Sequence, residues 1–185
     1  VTDGGAAVVM TRSDRAKDTK NTPIYLLGAA MEHHHRMISE MPDLVRTSAI
    51  ESGERAFSMS GYKPNDMSTI QLYDAFTINT LLFLEDLGFC KKGEAKELVK
   101  NNNIGPAGNL KVNTNGGGLS CVHPGMYGLF VTLEALRQLR NASGDDVGKR
   151  LDGGWIDNAK LSVAHGNGGV LSSQVTNIWG VSDTL

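Results

Sequence analysis

A glycine-rich segment that runs into a helical pattern constrains this chain more than any other feature. Residues 113–125 contain three successive glycines, 116–118, and end in His123-Pro124-Gly125. Glycine gives the backbone conformations that other residues avoid and lets a ligand come close to it. The segment therefore predicts a loop that delivers one histidine, His123, to a binding site.

The residues after this segment have the spacing of an amphipathic helix. Leu129, Leu133 and Leu136 recur at four and three residues, and Pro124 suits the first turn of a helix, so a helix is predicted to begin at about His123. The positive end of a helix disfavours an imidazolium ion, so His123 is expected to be neutral and able to act as a general base. The alternative interpretation is that His123 only caps the helix.

Length and composition favour a single α/β domain with a real core. The chain has 185 residues, 40% of them hydrophobic, and a formal charge of -2. It contains no basic patch, so nucleic acid is not an expected partner, and no apolar run long enough to cross a bilayer, so no membrane contact is expected. Cys90 and Cys121 form no disulfide or zinc spacing, which predicts a soluble, cytoplasmic protein.

The order of patterns predicts alternating strands and helices. Strands are predicted at 1–11, 24–30, 68–73, 159–164 and 170–179, and helices at 50–60, 75–87, 93–100 and from about 123 to 141. This alternation favours a three-layer α/β/α arrangement with a mixed five-stranded sheet. A strand at the first residues needs neighbours with which to pair, so the chain is expected to be part of a longer protein.

Two further segments, each at the end of a predicted strand, carry candidate functional residues. Tyr73 and Asp74 follow a predicted strand, and the carboxyl ends of strands are where open α/β sheets bind ligands. Residues 165–169, His-Gly-Asn-Gly-Gly, lie between the last two strands and indicate a tight turn. His165 is not a typical turn residue, so it joins the candidates.

Residues 33–35 are three successive histidines. Neighbouring residues point in different directions on any regular element, so one metal ion would rarely take all three. No metal site is expected, and the histidines are assigned to a surface loop or a substrate channel. The glycine clusters have neither the phosphate-loop nor the dinucleotide-binding spacing, so nucleotide binding is disfavoured.

The three segments, at residues 73–76, 117–128 and 165–169, occur in an order that resembles the thiolase superfamily. The resemblance is closest to its lipid-transfer (sterol-carrier-protein-like) and acetyl-CoA acetyltransferase branches. The resemblance covers only the C-terminal half of such an enzyme. Residues 73–76, Tyr-Asp-Ala-Phe, look like the family's Asn-Glu-Ala-Phe block, and residues 117–128 look like its Gly-His-Pro segment. Residues 165–169 fall where the family has a Cys-x-Gly turn. Residues 1–20 then match the end of the N-terminal half, and residues 21–185 the C-terminal domain.

The resemblance implies chemistry on a coenzyme A thioester, with no covalently bound cofactor. His123 becomes the general base, His165 the second acid/base group or oxyanion donor, and Tyr73 an oxyanion donor or acid. The candidates for substrate or oxyanion contacts are Asn167, Gly168, Gly117 and Asp74, while Met126 or Tyr127 could shape the acyl pocket. The nucleophilic cysteine would belong to the absent N-terminal half, and Cys121 is expected to be a buried structural thiol.

Three functions stay open at this point. A thiolase reaction that makes or cleaves a carbon–carbon bond is the main prediction. Tyr73 in place of asparagine makes retro-aldol cleavage of a β-hydroxyacyl-CoA the alternative, and a non-catalytic acyl-CoA or lipid-binding scaffold is the third. The resemblance also implies the N-terminal thiolase half as a partner, a homodimer, a role in lipid metabolism and, for the aldolase, a small partner with an OB fold and a zinc ribbon.

Overall fold

A four-stranded mixed sheet forms the centre of the protein. The structure is a computed structural model that describes residues 2–105, 107–122, 126–150 and 154–185. Its strands are β1 (Tyr25–His33), β2 (Thr69–Leu72), β3 (Leu161–Gly168) and β4 (Ser173–Gly180), in the order β1-β4-β3-β2. The β2–β3 pair is parallel and the other two are antiparallel.

Helices connect and cover these strands. They are α1 (Ser13–Ala16), α2 (Ala49–Ser60), α3 (Thr77–Asp86), α4 (Ala95–Val99), α5 (Gly117–Ser120) and α6 (Gly128–Ala142). Four 3-10 turns lie at Ile38–Glu40, Pro64–Asp66, Lys100–Asn102 and Ser182–Thr184. None of the helices in the described ranges is long and apolar enough to cross a membrane.

The two faces of the sheet bury two separate groups of side chains. The first core cluster joins β2, β3 and β4 to α2 and α3; it includes Ala56, Phe57, Leu72, Phe83, Val163 and Ile178. The second core cluster joins the same sheet to α6; it includes Tyr73, Tyr127, Val131, Ala135, Ala164 and Trp179. Successive residues of a strand point to opposite faces of the sheet, so Val163 lies in the first core cluster and Ala164 in the second. Helices therefore lie on both faces of the sheet.

The predicted five-stranded sheet is wrong, because the described part of the chain contains four strands. Residues 2–12 form none, and Val9 is 95% exposed. Val112 makes one isolated parallel bridge to Ile70 at the edge beyond β2. The asparagines and glycines around Val112 do not sustain a longer strand.

The hairpin between the last two strands also differs from its prediction. β3 continues through His165 and Gly166 to Gly168, so His165 lies within a strand and pairs with Thr176. The turn falls at 169–172, where Gly169 and Leu171 both have φ of +59°. The Asn-Gly signal thus placed the turn a few residues too early.

Candidate functional site

Tyr73 and Asp74 lie directly after β2, as predicted. The Tyr73 backbone N–H donates to the His165 carbonyl oxygen at 2.9 Å, which continues the parallel pairing by one residue. The Tyr73 side chain turns into the second core cluster, where its ring centroid is 5.7 Å from that of Tyr127. The end of β2 therefore holds the Tyr73 ring beside a second phenol.

The Asp74 carboxylate holds the glycine-rich segment. It accepts hydrogen bonds from the backbone N–H groups of Gly118 at 2.6 Å and Leu119 at 3.4 Å. Burial raises the pKa of Asp74, and these hydrogen bonds only partly offset the rise. Gly117 has a φ of +71°, and a methyl group there would overlap the Asp74 carboxylate, so glycine is required at that position.

The backbone N–H groups of the glycine-rich segment are already occupied. Gly117 donates to the Asn115 side-chain oxygen at 2.9 Å, and Gly118 donates to Asp74. Gly117 was a candidate for substrate or oxyanion contact. Within the described residues its N–H makes a local turn instead, so Gly117 shapes the segment.

The predicted helix start at His123 is wrong, because α6 begins at Gly128. The Tyr127 ring is buried in the second core cluster and fixes the chain just before the helix. His123 itself lies outside the described residues, as do Pro124 and Gly125. The helix dipole acts only within the first turn of a helix, and His123 precedes Gly128 by five residues in the sequence. The prediction that His123 is a neutral base is therefore supported only by the family resemblance.

His165 lies on the other face of the sheet from Tyr73. Its imidazole is fully buried, stacks edge-on against Phe83 at 4.5 Å, and bonds through Nδ1 to Thr176 and through Nε2 to Gln174, each at 2.9 Å. Burial lowers the pKa of His165 to about 4. The backbones of Tyr73 and His165 are adjacent, but the Tyr73 side chain packs with Tyr127 and the His165 side chain with Phe83. This placement on opposite faces does not support the predicted proton-carrier role of His165.

Asn167 and Gly168 lie at the end of β3, close to Tyr73. The Asn167 side-chain nitrogen donates to the Tyr73 carbonyl oxygen at 3.3 Å. The Gly168 carbonyl oxygen accepts from the Ser172 hydroxyl at 3.0 Å. Asn167 therefore helps to fix the position of Tyr73.

Tyr127 is a site residue that sequence reasoning treated only as a possible wall of an acyl pocket. It is 1% exposed, stacks on Phe130, and its hydroxyl accepts a hydrogen bond from Asn115 at 3.0 Å. Burial raises the pKa of Tyr127, and nearby Cys121 and Asp74 raise it further. The phenol consequently keeps its proton at neutral pH.

A cavity of about 350 Å³ adjoins Asp74, and it is lined by Asp74, Thr80, residues 104–105, residues 111–114 and Gly116. Small-molecule sites in proteins have volumes of this order. The cavity thus lies between the end of β2 and the glycine-rich segment.

Cys121 is exposed, so the prediction of a buried structural thiol is wrong. It follows α5 directly, and its carbonyl oxygen accepts a hydrogen bond from the Thr2 hydroxyl at 3.2 Å. Cys90 is half-buried, and burial raises its pKa to about 11. Across the described ranges, no group of three or more histidine, cysteine or acidic side chains could hold a metal ion.

The chain is similar to known proteins over most of its length. The family model described as thiolase C-terminal domain-like matches residues 30–181. A 17-hydroxy-3-oxo-4-pregnene-20-carboxyl-CoA lyase of Mycobacterium tuberculosis is 39% identical over 153 residues, which are 79% of this chain and 39% of the relative. An acetyl-CoA acetyltransferase of Methanothermobacter thermautotrophicus is 29% identical over 181 residues, 97% of this chain and 45% of the relative.

A solved structure has the same fold. The Ltp2-ChsH2(DUF35) aldolase superposes with a TM-score of 0.77 at 27% identity, covering 94% of this chain and 43% of that one. The chain thus spans less than half the length of these relatives. The chain belongs to the thiolase C-terminal domain-like family.

Proposed function

We propose that this chain is the C-terminal half of an enzyme that breaks a carbon–carbon bond next to a coenzyme A thioester, by retro-aldol cleavage of a β-hydroxyacyl-CoA. The observation that carries the proposal is Tyr73, a phenol at the end of β2 beside the Tyr127 ring and next to the buried Asp74. The Mycobacterium relative is a lyase that shares 39% of the aligned residues, which supports the same reaction class.

The proposed chemistry needs one base and one acid. His123, as base, takes the proton of the substrate's β-hydroxyl; the oxygen forms a carbonyl as the Cα–Cβ bond breaks. The electron pair of that bond passes into the thioester enolate, and the Tyr73 phenol returns a proton to the α-carbon. The products are a ketone or aldehyde and a shortened acyl-CoA, with no free coenzyme A consumed.

The surrounding residues would position these groups. Asn167 holds the Tyr73 carbonyl, and Asp74 holds the segment that leads to His123. We propose that the cavity beside Asp74 receives part of the thioester, and that Gly168 lies close enough to the bound substrate to contribute to an oxyanion site. His165 is assigned to holding β3 against β4 and so acts on the site only through the strands.

Thiolase chemistry is the second candidate, favoured by the alignment with the acetyl-CoA acetyltransferase over 97% of this chain. It requires a nucleophilic cysteine, which would come from the N-terminal half. The third possibility, an acyl-CoA or lipid-binding scaffold, requires binding without turnover.

The full-length protein distinguishes the three. Retro-aldol activity releases a ketone or aldehyde from a β-hydroxyacyl-CoA without added coenzyme A. A thiolase instead consumes coenzyme A with a 3-ketoacyl-CoA and leaves an acylated cysteine that mass spectrometry can trap. Trapping of that species without aldol cleavage would overturn the proposal in favour of the thiolase, and binding without either product would favour the scaffold.

The residue test compares two tyrosines. Tyr73→Phe should lower kcat for cleavage about 100-fold, because general acid catalysis supplies a factor of that order, with KM little changed. Tyr62→Phe is the matched control, since the Tyr62 hydroxyl donates to Thr184 at 3.0 Å, away from the candidate site. An equal loss in both variants would contradict a chemical role for Tyr73.

The assembly is part of the proposal. We propose that residues 1–20 end the N-terminal half, that residues 21–185 form the C-terminal domain, and that the enzyme is a cytoplasmic homodimer acting in lipid metabolism. A small partner with an OB fold and a zinc ribbon is proposed as well, supported by the similarity to the Ltp2-ChsH2(DUF35) aldolase, whose name joins two proteins.

A further inference from the structure

A buried carboxylate on α6 lies behind the glycine-rich segment. The Glu134 side chain is 2% exposed and pairs with the Arg150 guanidinium, which donates through both terminal nitrogens. Burial raises the pKa of Glu134, but hydrogen bonds from Arg150, Thr114 and Gln138 outweigh this and leave the pKa below its ordinary value. Glu134 therefore stays charged at neutral pH.

This carboxylate is bound from two sides. From one side, Arg150 stacks over the Trp155 ring at 3.9 Å and donates to the Gly154 carbonyl at 3.2 Å. From the other, the Thr114 hydroxyl donates to Glu134. Glu134 consequently joins the loop after α6 to the start of the glycine-rich segment.

Thr114 is the point where the site elements meet. Its hydroxyl oxygen also accepts from the side-chain nitrogens of Gln71 at 3.0 Å and Gln138 at 2.9 Å. Gln71 lies in β2, two residues before Tyr73. One hydroxyl thus ties β2, α6 and the glycine-rich segment together.

The segment beyond Thr114 needs such an anchor. Gly116 and Gly117 have φ of +92° and +71°, and glycine loses more conformational freedom on ordering than any other residue. Asn113 is held to β2 through its side-chain oxygen, which accepts from the Leu72 N–H at 2.7 Å. Between Asn113 and the Asp74 contact at Gly118, Thr114 is a further residue bonded directly to β2.

We propose that Glu134 is a positioning residue, which with Arg150 holds Thr114 and thereby sets the conformation of residues 114–119. The inference rests on the proposed function for its kinetic consequence only. A merely structural ion pair would contribute stability and leave the conformation of these residues unchanged when it is weakened.

The test measures amide hydrogen exchange and kinetics on the full-length protein. In Glu134→Gln and in Thr114→Val, exchange at the Gly118 and Leu119 amides should rise about tenfold, the effect of losing one hydrogen bond that holds a segment closed. The kcat for cleavage should fall about tenfold in both variants, and KM should stay unchanged in Glu134→Gln, since Glu134 is not among the residues that line the cavity proposed to receive the thioester. Thr114→Ser keeps the hydroxyl and should restore both values.

Asp86→Asn is the matched control for stability. Asp86 is also a buried carboxylate, but it accepts from the Thr47 backbone N–H at 2.9 Å and hydroxyl at 2.7 Å, away from the glycine-rich segment. It should lower Tm and leave exchange at residues 118–119 as it was. Thr114→Val leaves the Glu134–Arg150 pair intact but also removes the contacts of Thr114 with Gln71 and Gln138. If Glu134→Gln does not fold, Glu134→Asp tests the role of Glu134, because it keeps the charge and withdraws the carboxylate from Thr114; exchange at residues 118–119 should again rise.

Unchanged exchange at residues 118–119 in the threonine variant, or an equal rise in Asp86→Asn, would overturn the proposal. Amide hydrogen exchange can be measured without any substrate turnover. A full-length protein that cleaves no β-hydroxyacyl-CoA would therefore refute the proposed function alone, while the exchange results would still decide the role of Glu134.

Discussion

Two of the buried polar groups of side chains in the described residues differ in charge and in what they connect. On the α2 face, the His165 cluster comprises Ser52, Thr176, His165 and Gln174; it is neutral and lies wholly within a helix and two paired strands. On the α6 face, the Glu134 cluster comprises Glu134, Arg150, Thr114 and Gln138; it contains an ion pair and ties loops to α6.

The difference separates stability from positioning. The strands around His165 are already fixed by backbone pairing, so its hydrogen bonds satisfy buried polar atoms and add little to geometry. The loops around Glu134 have only an isolated bridge at Val112 in place of strand pairing, and the side-chain contacts of Thr114 and Arg150 tie them to α6. Substitutions in the His165 cluster should change the free energy of unfolding, whereas those in the Glu134 cluster should also change the site.

The largest effect is expected for Arg150→Met. It leaves the Glu134 charge buried without its partner, which typically costs about 3–5 kcal/mol. Urea unfolding of the full-length protein measures the loss. A cost below that of the His165-cluster variants would break the distinction between a charged and a neutral cluster.

The second-largest effect is expected from acid, which should lower the free energy of unfolding through His165. The folded pKa of His165 is about 4 against an ordinary value of 6.5, so the unfolded state binds more protons between these values. This contribution to stability is complete above about pH 6.5 and is lost as pH falls toward about 4, in total about 3 kcal/mol.

The measurement is the free energy of unfolding as a function of pH, and the control is His165→Gln. This variant should remove the pH dependence of that free energy between pH 4 and 6.5. The Glu134 pKa lies below its ordinary value of 4.5, so the contribution of Glu134 is lost only as pH falls below that value. The two clusters therefore titrate in different windows, and an unaltered slope in His165→Gln would contradict the assignment.

A smaller effect is expected for Thr176→Val, about 1–2 kcal/mol. The valine leaves His165 Nδ1 and the Ser52 hydroxyl without their shared partner, each 2.9 Å from it, and an unsatisfied buried polar atom costs about this much. Thr176→Ser is the control and should cost less. Exchange at residues 118–119 should stay at the wild-type rate; a rise there would show that the α2 face also positions the site.

The smallest effect is expected for Trp155→Leu, about 0.5–1 kcal/mol. The ring faces the Arg150 guanidinium at 3.9 Å, and a cation–π contact of a partly exposed pair contributes about this amount. Thermal unfolding should detect the change. A loss as large as that of Arg150→Met would mean that the ring, and not the carboxylate, anchors the loop.

Local sequence patterns predicted the elements whose periodicity is regular. The strand at 68–73 and the helices at 50–60 and 75–87 correspond to β2, α2 and α3 within a few residues. Tyr73 and Asp74 were placed at the strand end by the same rule. The spacing of apolar residues was sufficient to predict these elements without information on tertiary contacts.

Contacts between distant residues escaped prediction. Glu134 and Arg150 are separated by the second half of α6 and a loop without periodicity, and their spacing in the sequence does not indicate an ion pair. The start of α6 was also missed: the helix begins at Gly128, whereas the prediction relied on Pro124, which lies outside the described residues. His165 was placed in a turn because of the Asn-Gly signal after it, whereas the strand pairing continues three residues beyond it.

The unequal exposure of the two cysteines offers a spectroscopic handle. Cys121 is open to solvent at the end of α5, whereas Cys90 is half-buried with a thiol whose pKa is raised to about 11. A maleimide dye at neutral pH should therefore attach to Cys121 in preference to Cys90, since the thiolate is the reactive form. Its emission would report movements of the glycine-rich segment in real time.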